Sequence, residues 1–464
     1  MLQFHFIMKK NKKNVTRKIK HPKPVIRYIM PTPTKAYEIS GKIIEEKEGW
    51  KVIHIYGESY ERGFAHGSLL SDELQRIKDA MAFYIQDQIH VSLATYFQKS
   101  EKVIAPILKK KFPEYYREID GISDGAKSKG VDVSIEFLIG WNSFMSLYDL
   151  FLTGPKLKDK NQRCSAFIAT GDATENGDIV MAHNTHTDFF TGQLFNIILK
   201  ITPMVGHEFI MQTMPGCIAS CSDWYISKSG IVCCETTIAD INYKPVFGVP
   251  YFCRIREAIQ HGNSLDQCSK IMLKENAGDY ACSWLFGDLH TGEIMLLELG
   301  LKEHNMQKKK NGVFYGMNSA IGEKLRKTET NDVEFYDISS RCGMRNFRLN
   351  QLLNEEYYGK INVNSAKKII GDHYDILLKK DSMNQRVICK HPELDPDAGY
   401  KPYSSTDAKV VDSAMAKDLH FWGIFGSGCG KRNFNVKKYV KEHPEYKLWG
   451  NVLENMPNRK WTKL

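Results

Sequence analysis

Asn161-Gln162-Arg163-Cys164-Ser165-Ala166-Phe167-Ile168-Ala169-Thr170 sets a cysteine at the head of a strand-like run deep inside the chain. A charged, polar segment, 154–163, precedes it; a turn from Asp172 to Asp178 and a second run, Ile179 to Asn184, follow. Asn176-Gly177 is a strong hairpin signal, so the two runs are expected to pair antiparallel. Counting through a short loop sets residues 186 to 188 opposite Cys164, within a register step. A cysteine in such a run is ordinarily a buried core residue. A thiol opening a core strand directly behind a cuttable loop has a second reading, a nucleophile exposed by cleavage of the Arg163–Cys164 bond. The surrounding sequence decides between them.

At 464 residues the chain is long enough for a substantial core in one large domain or two ordinary ones. No uncharged apolar run reaches the roughly 18 residues of a membrane span. The net charge is +10, but nine cations between Lys9 and Arg27 stand without an acid among them. The body is therefore close to neutral and the basicity belongs to an arm. Such arms are usually solvated, and an anionic membrane surface is the partner this charge would select. No nucleic-acid-binding module follows, so no nucleic acid is expected. The apolar start precedes the lysines, the reverse of a secretory signal. The eleven cysteines form no Cys-x-x-Cys spacing, so neither a metal nor a cofactor is expected. Scattered, odd-numbered thiols fit a reducing compartment, and a cytoplasmic location is expected.

Pro22, Pro24, Pro31 and Pro33 mark a linker after the arm. From Tyr37 to Leu152 the chain reads as helical after one strand, Trp50 to Tyr56. Beyond Cys164 it turns to short strands: Ile197 to Ile201, Glu208 to Gln212, Ile231 to Glu235, Trp284 to Phe286 and Ile294 to Glu298. Helices are expected between them, at Tyr251 to His261, Leu265 to Lys274 and Arg345 to Asn354. This order suggests a layered α+β domain with antiparallel sheets. The expected division is a basic arm over 1–35, a helical segment over 36–163 ending in a cleavable linker over 153–163, and a main domain over 164–464.

Several stretches carry a resemblance. Cys164-Ser165-Ala166 with Ala182-His183-Asn184-Thr185-His186 resembles the phospholipase B-like proteins. So do Asp223-Trp224-Tyr225-Ile226, Cys233-Cys234-Glu235-Thr236-Thr237, Gly278-Asp279-Tyr280-Ala281-Cys282-Ser283-Trp284 and Thr406-Asp407-Ala408-Lys409. Glu61-Arg62-Gly63 with His66-Gly67, the 121–126 segment and Ile388-Cys389-Lys390-His391-Pro392 are similar to the sister acyl-coenzyme A:isopenicillin N acyltransferase-like family. Both are N-terminal nucleophile hydrolases. The resemblance implies a four-layer αββα sandwich of two antiparallel sheets and a lysosomal or secreted location as the alternative. It also implies self-cleavage before Cys164, whose new α-amine, with a pKa near about 7.7–8.0, would serve as base to its own thiol.

In the acyltransferase relatives an aspartate opposite the cysteine holds the amine; in the phospholipase B-like relatives a tryptophan stands there. Here the position falls on His186, with Asp188 two residues on and on the same strand face. His186 would orient the amine and Asp188 supply fixed negative charge. Relatives place an oxyanion asparagine in the strand matching Ala281 to Trp284; this chain lacks it, leaving Ser283, Asn184 or a backbone amide as donors. Arg345, or Arg341 as the alternative, matches the arginine the relatives bring to their site. His183 with His186 lacks the further ligands of a metal site. Gly426-Ser427-Gly428-Cys429-Gly430-Lys431 is not a phosphate loop, since Phe425 stands for its first glycine and Arg432 for its Ser/Thr; a glycine-rich loop near the sheet edge is expected.

The implied activity is hydrolysis of amide or ester bonds in acyl or phospholipid substrates. An acyltransferase passing a Cys164-bound acyl group to an amine is the first alternative. A non-catalytic lipid- or membrane-binding protein on the same fold is the second.

Overall fold

The polypeptide of the computed structural model is described over residues 39–151, 164–246 and 248–464. The arm over 1–35, the linker over 153–163 and Arg163 itself lie outside the described residues. Strands β1 (Gly41–Lys47) and β2 (Trp50–Gly57) lead into helices α1 (Ser59–Leu69), α2 (Ser71–Ile89), α3 (Leu93–Val103), α4 (Ala105–Lys111), α5 (Pro113–Lys127), α6 (Ile135–Asn142) and α7 (Phe144–Phe151). Beyond the linker come β3 (Cys164–Gly171), β4 (Gly177–Asp188), α8 (Phe189–Gly192), β5 (Ile197–Pro203), β6 (Phe209–Thr213), β7 (Trp224–Ser227) and β8 (Ile231–Thr237). Next are α9 (Tyr251–His261), α10 (Leu265–Leu273), β9 (Cys282–Asp288), β10 (Glu293–Leu299), β11 (His304–Lys309) and β12 (Gly312–Gly316). The chain continues through α11 (Glu323–Glu329), α12 (Arg341–Gln351), α13 (Val363–Ile370) and the small hairpin β13 (Tyr374–Asp375) and β14 (Lys380–Asp381). Strands β15 (Tyr403–Asp412), β16 (Trp422–Phe425) and β17 (Thr462–Lys463) follow, with helices α14 (Ser413–Lys417) and α15 (Val436–Glu442) between them.

Two sheets form the centre. One runs β1-β2-β5-β6-β7-β8-β9-β10-β11, the other β12-β3-β4-β15-β16-β17. Every pairing in them is antiparallel except β2 with β5. Strand alternation separates the layers. Ala166 and Ile168 of β3 and Ile179 and Met181 of β4 meet Val232, Leu285 and Leu296 of the larger sheet in the inter-sheet core. Phe167, Ala169, Val180 and Ala182 point the other way, onto Leu349, Ile369 and Ile370 of the α12–α13 layer. Ile53, Leu199 and Leu297 on the outer face of the larger sheet pack under α1, α2, α5, α9 and α10. The result is the expected αββα order of four layers.

β1 and β2, from the segment ahead of Cys164, form one edge of the nine-stranded sheet through the β2–β5 pairing. Residues Ile39–Leu464 therefore make one compact unit. Helices α1 and α5 cross where both carry glycines four apart. A Cβ on Gly63 would lie 1.9 Å from the Glu118 carbonyl oxygen, and one on Gly121 2.2 Å from that of Tyr60. This close approach is why glycines recur in the 61–67 and 121–126 segments.

Candidate functional site

Cys164 is the first residue of β3 and shares the side of Ala166 and Ile168, so its thiol faces the inter-sheet space. Its partner across β4 is Thr185. The count from sequence, which put 186–188 opposite, was one residue long, and in a strand one residue exchanges the faces. The His186 ring accordingly lies on the outer face, where its Nε2 donates to the Ile388 carbonyl at 3.0 Å. The main chain of His186, not its imidazole, is what meets the thiol.

The main chain of Cys164 is held by a clamp. Its N–H donates to Asn318 Oδ1 at 3.1 Å. Arg345 Nη2 donates to the same oxygen at 2.9 Å, while Nη1 donates to the Cys164 carbonyl at 2.5 Å and to Ser165 Oγ at 3.1 Å. Asn318 sits at φ +78°, a left-handed conformation that asparagine tolerates better than most residues, and its Nδ2 donates to the Thr237 carbonyl at 2.9 Å. Arg345 is brought there because α12 begins at Arg341, four residues before the expected start. Ser340 caps it, its Oγ accepting from the Gly343 N–H at 3.0 Å. Arg341, the alternative, contributes its carbonyl to Arg345 Nε at 3.0 Å.

Acidic and basic groups surround the thiol. Burial pushes the Cys164 thiol well above its ordinary value, and the charges of Glu235 and Asp223 add to the rise. Tyr280 OH donates to Glu235 Oε1 at 2.5 Å. Thr185 donates to Asp407 Oδ1 at 2.9 Å, and Lys409 Nζ donates to the same oxygen at 2.6 Å and to Thr185 Oγ1 at 2.7 Å. His183 Nε2 donates to the Glu235 carbonyl at 2.9 Å. Burial holds both His183 and His186 far below the ordinary imidazole range, so both rings are neutral at neutral pH.

Of the remaining residues proposed from sequence, the structure brings none beside the thiol. Asn184, on the outer face with His186, donates to the Ile370 carbonyl at 2.9 Å and accepts from Ser405 Oγ. Asp188 caps α8, accepting from the Thr191 N–H at 2.9 Å and from Tyr84 OH at 3.1 Å. Ser283 donates to Glu298 Oε1 at 3.0 Å, and Glu298 in turn accepts the N–H groups of Ile321 and Gly322, both at 2.7 Å. Asp223, Glu235, Tyr280 and the Asp407–Lys409 pair stand in the stretches that carry the resemblance but have no site role in the sequence reading, and Asn318 does not figure in it. Glu235 had a signal, an acid inside the apolar strand run Ile231 to Thr237; Asn318 had none.

Cys164, Thr185 and Asp223 line a cavity of about 30 Å³, room for little more than a water. Its other walls are largely apolar, among them Trp141 of α6, Phe144 and Met145 of α7. The two helices come from the segment ahead of the linker.

A protein of Archaeoglobus fulgidus described as uncharacterized is 26% identical over 262 residues, a match covering 53% of this chain and 42% of that protein. The chain thus spans about two fifths of the length of this curated relative. Two structures of conjugated bile acid hydrolase variants from Clostridium perfringens overlap 56% and 57% of this chain and 89% and 82% of theirs, at 9% and 10% identity. Their TM-scores are 0.32 and 0.28, too low to bear on topology or chemistry, and the fold rests on the strand orders above. The family profile for phospholipase B matches residues 59–296, from α1 into β10 and across just over half of the sequence. The chain belongs to the phospholipase B family.

Proposed function

We propose that the protein is a self-processing cysteine hydrolase of the N-terminal nucleophile type, acting on amide or ester bonds of acyl or lipid substrates. The observation that carries this reading is the clamp on the Cys164 main chain. Asn318 grips the backbone nitrogen at the bond to be cut, Arg345 grips the carbonyl beside it, and the thiol faces an apolar cavity. A structural cysteine needs no such device.

In maturation the Cys164 sulfur adds to the Arg163 carbonyl carbon and its proton passes to the departing nitrogen. The C–N bond breaks, leaving Arg163 as a thioester on the sulfur and Cys164 with a free amine. Water then adds to the thioester, releasing the Arg163 carboxylate and restoring the thiol. In turnover that amine is the base. The thiol, pushed up by burial and by Glu235 and Asp223, is protonated at neutral pH and needs an acceptor at its side. An α-amine with a pKa near about 7.7–8.0 is suited to it. Asp223 and Glu235, whose charges act on the thiol, take the role expected of Asp188 and stabilise the resulting ammonium. The thiolate attacks the acyl carbonyl, the amine or alcohol leaves with the proton, and water resolves the acyl-thioester.

The cavity is far smaller than the roughly 300–1,000 Å³ of ordinary ligand sites. Phe144 and Met145 belong to the segment ahead of the cut, so cutting the chain removes the covalent tie between this wall of the cavity and Cys164. The test is to mix mature protein with short acyl amides and with phospholipids, quench in acid and weigh the fragments. An acyl mass on the peptide beginning at Cys164 is expected. Turnover with no adduct on that peptide, or with an adduct on another residue, would overturn the reading.

A further inference from the structure

Behind the β3–β4 pair, on the outer side of the smaller sheet, four side chains from three segments converge. His373 follows α13, Cys389 and His391 lie in the stretch before β15, and Cys429 lies in the glycine-rich loop after β16. One donor atom from each lies within 4.8 Å of every other. His373 Nε2 stands 3.1 Å from His391 Nε2, which is 3.7 Å from Cys389 Sγ and 3.6 Å from Cys429 Sγ. For a tetrahedral ion with bonds of about 2.0–2.1 Å to nitrogen and about 2.3 Å to sulfur, these edges come to about 3.3 Å between nitrogens and about 3.6 Å between nitrogen and sulfur. The cluster has those dimensions.

Its chemistry points the same way. Two imidazole nitrogens facing at 3.1 Å share at most one proton, whereas a cation satisfies both lone pairs at once. His391 Nδ1 lies 3.1 Å from Glu393 Oε1; a proton there leaves Nε2 as the free lone pair, the carboxylate–histidine arrangement that supports metal ligands. Three of the four residues are buried and Cys429 is half-buried. The loop bearing Cys429 uses its glycines to approach the sheet. Gly426 and Gly430 adopt φ of +125° and +66°, and a Cβ on Gly428 would press on Ala408 at 3.1 Å. That gives the loop, unfit for phosphate, a purpose.

We infer that His373, Cys389, His391 and Cys429 form a tetrahedral zinc(II) site. Two nitrogens and two thiolates select zinc among common divalent ions, and four protein ligands leave no open position, so the site is structural. Zinc binding releases the two thiol protons and leaves the ion held by two thiolates and two neutral imidazoles. No short spacing signals the site, because its ligands are spread from 373 to 429; sequence reading therefore expects no metal. The ion would pin the 388–391 stretch, whose Ile388 carbonyl accepts from both His186 and Asn184, and so brace the sheet behind Cys164.

The full chain, purified under reducing conditions without chelator, tests this by elemental analysis. About one zinc per chain is expected, with a loss of at least about tenfold in Cys429→Ser and His373→Gln and a weakening of about ten- to a hundredfold in Glu393→Gln. Cobalt(II) added to stripped wild-type protein should give a thiolate charge-transfer band that Cys429→Ser lacks. A wild-type chain that retains no zinc after incubation with the ion would overturn the proposal. So would equal zinc in the two ligand variants, a cobalt complex without the thiolate band, or a Cys389–Cys429 disulfide found by mass under these conditions.

Discussion

The proposed chemistry is concentrated in one residue, Cys164. Cys164→Ala deletes the atom that in the proposed mechanism attacks Arg163 and carries the acyl group, so cleavage and turnover should both vanish. The fold should lose only about 1 kcal/mol, seen as a small shift in melting temperature; a folded, fully active Cys164→Ala chain would remove the nucleophile. Cys164→Ser keeps an attacking oxygen and should cleave partially. Asn318→Ala is more specific to the clamp. It takes the acceptor from the Cys164 N–H and from Arg345 Nη2, and should slow the appearance of the new N-terminus by at least about tenfold, the cost of one buried hydrogen bond to a charged group. Unchanged cleavage kinetics in Asn318→Ala would show that the clamp is only structural. His186→Ala should behave oppositely. Its ring serves the Ile388 carbonyl, so stability should fall by about 1 kcal/mol with the cleavage rate near that of the parent.

The elements show how far local pattern reaches. The β3–β4 hairpin, the helix Tyr251–His261 and the core strands β5, β6, β8, β9 and β10 lie close to where periodicity and turn residues set them. β4 outruns its expected end at Asn184 and continues to Asp188 because β15 pairs it over Tyr403 to Asp412, a partner more than two hundred residues away that no local window contains. The same distance hid the site. Cys164 was visible as a residue out of place, but the identity of its neighbours depends on a register exact to one residue and on Asn318, in a loop with no motif. The glycines of the α1–α5 crossing stand in two segments that enter the sequence reading only through the resemblance, and the crossing that explains them lies beyond any local window. Gly63→Ala should cost about 1–3 kcal/mol by overpacking, since the new methyl would meet the Glu118 carbonyl. A melting temperature equal to that of the parent would show that the helices can part freely.

Across the whole molecule, the segment ahead of Cys164 and the segment after it share one core. Arg62 and Arg256, one from each segment, both pair with the buried Glu118, at 2.7 and 3.0 Å. His66 Nε2 accepts the Gly216 N–H at 2.8 Å. Acid should loosen these contacts in two windows. Burial holds His66 at about 4, so the unfolded chain takes up this proton first, and stability should fall between about pH 6.5 and 4. Burial alone would raise Glu118, but Arg256 and Arg62 draw it down to about 2, and its contribution should fade from about pH 4.5 toward 2. Melting temperatures of wild type and His66→Gln across pH 7 to 4 separate the two; the variant should show a shallower first slope, the remainder coming from the other buried neutral rings, His183 and His186, and equal slopes would contradict the assignment.

The shared core also means that a cut chain should not come apart. The most direct measurement is therefore the mass and N-terminal sequence of purified, fully incubated protein after denaturation, beside its elution under native conditions. Two polypeptides that coelute natively, one ending at Arg163 and one beginning at Cys164, with a single uncut chain in Cys164→Ala, are the predicted result. An uncut wild-type chain that nevertheless turns over acyl substrate would contradict the account at its centre.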